Sequence, residues 1–260
     1  IVMSEHFDVL VVGAGLSGVG AGYWLQKQCP GKSYAIIEAR GRKGGTWDLF
    51  RYPGIRSDSD MFTLGYAFRP WTDPKAIADG PSILRYIDET AREYGVDQKI
   101  RYSQRMVSAS WSSADARWTV DVETAAGRAS YTCGFLYVCS GYYRYDKGYL
   151  PDFPGMADYR GALVHPQAWP ESLDYAGKRV VVIGSGATTA TVVPAIANDC
   201  KHVTVLQRSP TYFIPGRNIN ELVEMLRTIG VDEVTIHDIA RKKILYDQDQ
   251  FTKRSFEDPE

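Results

Sequence analysis

Two short glycine-rich stretches carry the residues best suited to chemistry in this chain. The first, GAGLSG, spaces Gly13, Gly15 and Gly18 as G-x-G-x-x-G after an apolar run, and Glu38 ends the next apolar run. In this order the first glycine allows a tight turn, the second lets the backbone approach a pyrophosphate, and the third lets a helix pack closely on a sheet. A carboxylate at Glu38 can accept hydrogen bonds from a ribose diol and repels a 2′-phosphate. The stretch therefore predicts a site for FAD or NAD.

The second stretch, GSGATT, differs from the first at the third position, where Thr189 replaces the expected glycine or alanine. The apolar run after it leads into Arg208. A guanidinium binds phosphate through two parallel hydrogen bonds, and a neighbouring hydroxyl can add another. We therefore expect this stretch to bind NADPH, with Arg208 recognising the 2′-phosphate. The alternative is that Arg208 is only a solvated cation at the end of a strand. The candidate residues are Gly184, Gly186, Thr188, Arg208 and Ser209.

Strands and helices must position both stretches. The sequence predicts a strand over Val9–Val12, a helix over Leu16–Gln26 and a strand ending at Glu38, and the second stretch follows a strand at Arg179–Ile183. Strands that alternate with helices predict an α/β fold. We therefore expect two dinucleotide-binding, Rossmann-like domains. Two nucleotides of different charge would explain why one chain carries two such turns.

Composition narrows the class of protein further. Among 260 residues, 30 basic side chains balance 31 acidic ones, so the composition gives no sign of a basic surface of the kind that binds nucleic acid.

The uncharged segment 180–198 is better explained as a strand, a turn and a helix than as a membrane span. No signal peptide is evident, and we therefore expect a cytoplasmic protein. The four cysteines show no C-x-x-C pair, which argues against a metal site, a disulfide framework and a disulfide reductase.

A twelve-residue stretch between the two turns carries a more specific pattern. YRGALVHPQAWP matches [FY]-x-G-x-x-x-H-x-x-x-W-P, and the segments GGTW and RYPGIRSDSDM precede it. With these motifs the chain resembles the class B flavin-dependent monooxygenases, in their Baeyer–Villiger branch, over roughly residues 5–215. The residues of the twelve-residue pattern are Tyr159, Gly161, His165, Trp169 and Pro170.

The resemblance implies a role for this pattern. Gly161, His165 and Trp169 would belong to a linker that couples cofactor binding to oxygenation. From the residues alone, packing and hydrogen bonding remain an alternative for His165 and Trp169. The resemblance also divides the chain into an FAD domain over 1–150, an incomplete NADP domain over 151–217 and the start of a helical insertion over 218–260.

Further site residues follow from the resemblance alone. Gly45, Thr46 and Trp47 would lie at the flavin, with an ordinary core aromatic as the alternative for Trp47. Gly141 would lie near the FAD phosphates. Asp58 would lie beside the flavin and position an arginine that the family places further along the chain, while a solvated, self-neutralising loop is the alternative.

These expectations combine into one functional hypothesis. The resemblance implies an NADPH- and O2-dependent monooxygenase that inserts oxygen into ketones or oxygenates sulfur compounds, and it implies that this chain is the amino-terminal part of a longer enzyme. The alternative is a noncatalytic nucleotide-binding fragment. No metal ion is expected.

Overall fold

The computed structural model describes residues 5–209, 211, 213 and 216–258. It divides into two compact units. The first unit comprises Ile1–Tyr52 and Pro81–Leu173, and the second comprises Pro53–Gly80 and Asp174–Glu260. These units group residues 53–80 with the later part of the chain, whereas the domain boundaries expected at 150 and 217 follow sequence order; those boundaries stay a prediction.

A six-stranded sheet forms the centre of the first unit, in the order β3–β2–β1–β6–β5–β4. The strands β1, β2, β3 and β6 run parallel, and β5 pairs antiparallel with both β6 and β4. The second unit contains a parallel pair, β7–β8. The strands are β1 (Glu5–Val12), β2 (Tyr34–Ile37), β3 (Ile100–Arg101), β4 (Arg105–Ser112), β5 (Arg117–Thr124), β6 (Gly127–Val138), β7 (Arg179–Ile183) and β8 (His202–Leu206).

Helices connect and cover these strands. In chain order they are α1 (Leu16–Gln28), α2 (Thr46–Leu49), α3 (Met61–Leu64), α4 (Gly80–Glu93), α5 (Ala187–Ile196), α6 (Glu221–Thr228) and α7 (Glu233–Glu257). In the described part of the chain, three short 3₁₀ turns lie at Val96–Lys99, Met156–Asp158 and Pro166–Ala168. Among the described residues, no helix combines the length and the apolar character needed to cross a bilayer.

The central strands have the composition that parallel, covered strands require. All four residues of β2, the sequence YAII, are buried, as expected for a strand with both faces covered. Phe7 and Leu10 on β1 pack with Val120 and Val122 on β5 and with Tyr131 on β6 in one apolar cluster. This core holds the carboxyl ends of β1 and β2 in place. The first glycine turn follows β1 and Glu38 follows β2, and these are the residues predicted to bind a nucleotide.

The predicted α/β class is confirmed, and the predicted elements around both glycine stretches are present. β1 begins four residues before the predicted strand and α1 continues to Gln28, while β7 has the predicted bounds. β2 ends at Ile37, so Glu38 lies immediately after the strand. The charged segment after Asn218 forms α6 and α7, in agreement with the helical character expected for residues 218–260.

Candidate nucleotide-binding sites

The first glycine turn connects β1 to α1 in a conformation that requires its glycines. Gly13 has φ +103°, a left-handed value, and its amide donates to the Ile37 carbonyl at 2.8 Å. A Cβ on Gly18 would lie 1.8 Å from the carbonyl oxygen of Gly13, so α1 packs directly onto the turn. Gly15 is the N-cap of α1, and no side chain caps it. The N-terminal amides and the positive dipole end of α1 are therefore suited to bind an anion such as a phosphate.

Glu38 is tied to this turn. Its carboxylate is buried, with 5% exposure, and accepts hydrogen bonds from the amides of Ala14 at 2.8 Å and Arg40 at 2.9 Å. The end of β2 thus brings the predicted ribose acceptor to the turn that holds the predicted pyrophosphate site. These residues fit the adenosine diphosphate part of FAD, because a glycine cradle and an acceptor of hydroxyl hydrogen bonds lie side by side.

The GGTW segment lies against the same turn. The Gly44 amide donates to the Ala14 carbonyl at 2.9 Å, and a Cβ on Gly45 would lie 3.2 Å from Gly15 Cα. Thr46 Oγ1 lies 3.4 Å from the Tyr145 hydroxyl oxygen. Trp47 is half-buried in α2. Gly45 therefore lies against the first turn, and the position of Gly45, Thr46 and Trp47 at the flavin stays a prediction.

The segment after β6 completes this edge of the sheet. The Cys139 amide donates to the Val12 carbonyl at 2.7 Å, and a Cβ on Gly13 would lie 2.5 Å from the Cys139 carbonyl oxygen. Burial raises the pKa of the Cys139 thiol, which keeps it protonated at neutral pH. Gly141 follows at φ +72° and is exposed. Cys139 thus contacts the turn through its backbone, and its thiol has no feature of a redox-active cysteine.

A buried aspartate beside this turn was missed by the sequence reasoning. Asp48 on α2 is 1% exposed and binds Arg40 at 2.7 Å, Arg42 at 3.1 Å and Arg51 at 3.4 Å. Arg40 also donates to the Gly45 carbonyl at 3.3 Å. These ion pairs hold the GGTW segment in place. The sequence signal was one acid with two arginines before it and one after it, a pattern that is typical of a solvated surface.

The second glycine turn connects β7 to α5. Gly184 has φ +117°, its amide donates to the Leu206 carbonyl at 2.8 Å, and Gly186 caps α5 without a side-chain hydrogen bond. Thr189 occupies the third position and donates from Oγ1 to the Gly184 carbonyl at 3.1 Å. Thr188, in the first turn of α5, is half-buried. This helix N-terminus is again suited to bind an anion.

Arg208 and Ser209 follow β8 at the same edge as the second turn. Both are exposed, and the Ser209 carbonyl accepts a hydrogen bond from Ser185 Oγ at 3.5 Å. Ser185 Oγ also accepts from Thr211 Oγ1 at 2.7 Å. The structure therefore brings the predicted Ser209 to the glycine turn through Ser185. The Arg208 side chain, which precedes Ser209 in the sequence, is exposed.

The twelve-residue pattern packs within the first unit. His165 caps the short 3₁₀ turn at Pro166–Ala168 by accepting from the Gln167 amide at Nδ1, at 3.2 Å. Gly148 lies directly against its ring, since a Cβ there would be 2.1 Å from the imidazole. Gly161 lies against the Tyr159 hydroxyl in the same way, and Trp169 is half-buried. His165 therefore makes structural contacts, as the packing alternative predicts; a coupling role is not tested by them.

Asp58 lies in the second unit. Its side chain is exposed. The neighbouring Asp60 is the N-cap of α3 and accepts from the Thr63 amide at 2.9 Å and the Thr63 hydroxyl at 2.7 Å. Two of the acids in the predicted loop thus differ: Asp60 has a structural partner, and Asp58 faces solvent. Among the described residues, no group of three His, Cys, Asp or Glu side chains is arranged to hold a metal ion.

Comparison with known proteins identifies the family. The model of the flavin-binding monooxygenase-like family matches residues 72–222, more than half of the chain. The chain belongs to that family. A Rossmann-like NAD(P)-binding domain model also matches residues 11–88, which include the first glycine turn. The resemblance stated from the motifs is therefore confirmed.

Curated relatives agree with this assignment. The FAD-containing monooxygenase EthA of Mycolicibacterium smegmatis is 60% identical over 211 residues, which cover 81% of this chain and 43% of the relative. EthA of Mycobacterium tuberculosis is 53% identical over 250 residues, covering 94% of this chain and 51% of the relative. The chain spans about half the length of the curated relatives it matches.

Solved structures show the same fold. An NADP-bound oxidized steroid monooxygenase aligns with a TM-score of 0.70 and 34% identity, over 81% of this chain and 40% of that chain. A cyclohexanone monooxygenase bound to ε-caprolactone aligns with a TM-score of 0.75 and 26% identity, over 90% of this chain and 45% of that chain.

Proposed function

We propose that the protein acts in NADPH- and O2-dependent flavin monooxygenation, with FAD on the first glycine turn and NADPH on the second. The observation that carries this proposal is the opposite charge at two otherwise similar turns. Glu38 lies buried at the first turn, and Arg208 follows the strand beside the second. An acid there favours a free ribose diol, and a guanidinium favours a 2′-phosphate. The curated relatives are named FAD-containing monooxygenases, and one aligned structure is NADP-bound.

The residues of the first turn would bind and orient FAD. Gly13, Gly15 and Gly18 would let the backbone and the N-terminus of α1 approach the pyrophosphate. Glu38 would accept hydrogen bonds from ribose hydroxyls on the lone pairs that the amides of Ala14 and Arg40 leave free. Gly184, Gly186 and Thr188 would present α5 to the NADPH pyrophosphate in the same way. Bound FAD supplies hydride acceptance from nicotinamide and the reaction with O2.

The remaining candidate residues surround these sites in the proposal. Gly45, Thr46 and Trp47 would form the wall of the flavin site and exclude water from it, since the GGTW segment lies on the first turn. Gly141 would pass close to the FAD phosphates. Asp58 would act at the flavin as a negative charge that orients a cation. The linker that contains Gly161, His165 and Trp169 would couple cofactor binding to oxygenation. We place the reaction in the cytoplasm.

A ketone or an organic sulfur compound is the proposed substrate class. One aligned structure is bound to cyclohexanone and another to ε-caprolactone, the ester formed when one oxygen atom is inserted beside the carbonyl of that ketone. Insertion into a ketone and oxygen transfer to sulfur both consume one atom of O2 and release the other as water, with NADPH as the reductant.

Flavin titration tests the assignment of the first turn. We expect FAD to bind more tightly than FMN, because FMN lacks the pyrophosphate and adenosine that the turn and Glu38 would hold. Glu38→Gln should weaken FAD and leave FMN unchanged, while Glu89→Gln on α4 is the matched surface control. Flavin fluorescence reports both affinities. Equal affinity for FAD and FMN would contradict the proposal.

Product analysis tests the reaction. A chain extended to the length of the relatives, loaded with FAD, should form ester from a simple ketone or sulfoxide from a sulfide at the expense of NADPH. Nucleotide binding without any oxygenated product would favour the noncatalytic alternative. The 260-residue chain alone is expected to bind FAD and to give no catalytic yield of either product.

A further inference from the structure

The segment 53–80 is held by residues that follow it by more than a hundred positions, in α5, in α7 and at Asn218. At its start, Gly54 lies so close to α5 that a Cβ would be 2.3 Å from the Thr191 carbonyl oxygen. Near its end, the Asn218 side chain binds both backbone groups of Ile77: Oδ1 accepts from the amide at 2.6 Å, and Nδ2 donates to the carbonyl at 2.9 Å. All of these residues belong to the second unit.

Side chains of helix α7 bind backbone carbonyls in the middle of the segment. The Arg241 guanidinium donates to the carbonyls of Phe62 and, at 3.1 Å, Gly65, and His237 Nε2 lies 3.0 Å from the Tyr66 carbonyl oxygen. A carbonyl can only accept, so Nε2 carries the proton. Both side chains thus bind carbonyls at the C-terminal end of α3, where a helix favours positive charge and leaves acceptors unpaired.

The short helix α3 is consequently fixed at both ends. Asp60 caps its N-terminus through the amide and hydroxyl of Thr63, and α7 caps its C-terminus through Arg241 and His237. A four-residue helix has too few internal hydrogen bonds to be stable alone. Asp58 precedes the cap residue by two positions, so the path of its backbone depends on these contacts.

We infer that Arg241, assisted by His237, is a positioning residue that fixes α3 and through it Asp58. This inference rests on the proposed function in assigning Asp58 a place beside the flavin. The contacts of Arg241 and His237 with the carbonyls of Phe62, Gly65 and Tyr66, here called the clamp, do not depend on it. The proposed role of Arg241 requires no contact with cofactor or substrate. It acts by holding the backbone on which Asp58 is carried.

Amide hydrogen exchange tests the clamp in the chain without cofactor. Arg241→Met should speed exchange in peptides covering 58–66 by at least about tenfold, because charge-assisted bonds to two carbonyls are lost. Arg241→Lys should retain most of the protection. Lys243→Met, which removes only a surface ion pair with Asp247 on the same helix, should change nothing. Unchanged protection of β1 and β2 would show that the first unit stays folded.

The visible absorption spectrum of bound FAD tests the link to Asp58. Asp58→Asn should shift the flavin bands, Arg241→Met should shift them similarly, and Arg241→Met in the Asp58→Asn background should add no further shift. Rescue by Arg241→Lys should restore the original spectrum. Additive shifts, or a normal exchange rate at 58–66 in Arg241→Met, would overturn the inference.

The two measurements separate this inference from the proposed function. If the unmodified chain does not bind FAD, the proposed function fails, and the exchange rates alone decide whether α7 holds α3. If FAD binds and Asp58→Asn leaves its spectrum unchanged, the positioning of Asp58 at the flavin is refuted even when the clamp is present.

Discussion

In the first glycine turn α1 lies so close to Gly13 that Gly18 has no room for a side chain, whereas in the second turn α5 leaves room for Thr189. The first contact would place a Cβ 1.8 Å from a carbonyl oxygen, and the second is a hydrogen bond of 3.1 Å from a hydroxyl to the equivalent carbonyl. The third glycine of the pattern is therefore a requirement of close helix packing. Where the helix stands further off, a hydroxyl can occupy the gap and satisfy the carbonyl.

The two turns also differ in how their charged residues are held. Glu38 is buried and bonded to two amides, and Arg208 is exposed. A buried, bonded carboxylate is already oriented for ribose hydroxyls. An exposed guanidinium has to lose conformational freedom when it binds a phosphate. We therefore expect the first site to be the more preorganised of the two.

The largest effect should follow from replacing Gly18. Gly18→Ala should lower the free energy of unfolding by about 3 kcal/mol, at the upper end of overpacking costs, because the methyl group meets backbone that cannot yield easily. FAD binding should be lost with it. Urea unfolding followed by tryptophan fluorescence measures the change. Gly31→Ala is the matched control, since nothing lies within 4 Å of a Cβ there; equal stability of both variants would contradict the packing argument.

The next effect concerns coenzyme choice. Arg208→Ala should weaken NADP⁺ roughly ten- to a hundredfold and leave NAD⁺ nearly unchanged, the loss expected for one charge-assisted phosphate contact. Titration calorimetry with both nucleotides gives the ratio. Arg179→Ala, at the opposite end of β7, should weaken neither. A parallel loss of both nucleotides in Arg208→Ala would show that this residue does not read the 2′-phosphate.

A smaller effect is expected at the third position of the second turn. Thr189→Val keeps the shape and removes the hydroxyl, so the unfolding free energy should fall by about 1 kcal/mol, the usual contribution of one hydrogen bond. Thr189→Ser should retain most of the stability. If Thr189→Val is as stable as the parent chain, the hydroxyl is not what lets a β-branched residue replace glycine.

The smallest effect distinguishes the two units by their response to pH. Burial lowers the pKa of His237, and the nearby Arg241 acts in the same direction, while the carbonyl of Tyr66 and the charges of Asp238 and Asp60 oppose it. The unfolded chain therefore takes up the proton first. The contribution of His237 to the stability of the second unit should be complete above pH 6.5, the ordinary pKa of a histidine side chain, and should decline as the pH falls below it.

Amide exchange at pH 7.5 and pH 5.5, corrected for intrinsic rates, measures this difference. Protection around α3 and α7 should fall at the lower pH, and protection in β1 and β2 should fall less. His237→Gln should remove the difference between the two units, because its amide can still donate to the Tyr66 carbonyl and does not titrate. A pH response that persists in that variant would assign the effect to other groups.

Much of the first site could be predicted from local pattern. The apolar run, the glycine spacing and the acid after the second strand are close in sequence, and each follows from the geometry of one β–turn–α–β unit. The buried position of Asp48 among three arginines could not be predicted in this way, because its burial depends on the packing of α2 beneath the first turn. Charge clusters in a sequence are usually solvated, and only the packing shows the exception.

Local sequence was thus sufficient for the two turns, their flanking strands and helices, and the opposite charges that follow them. Tertiary structure alone decided that segment 53–80 joins the second unit and that Arg241 and His237 cap α3. The physical reason is sequence distance. A turn forms from residues within one β–α unit, whereas these caps join residues more than 170 positions apart, and their partners are backbone carbonyls that carry no signature in the sequence.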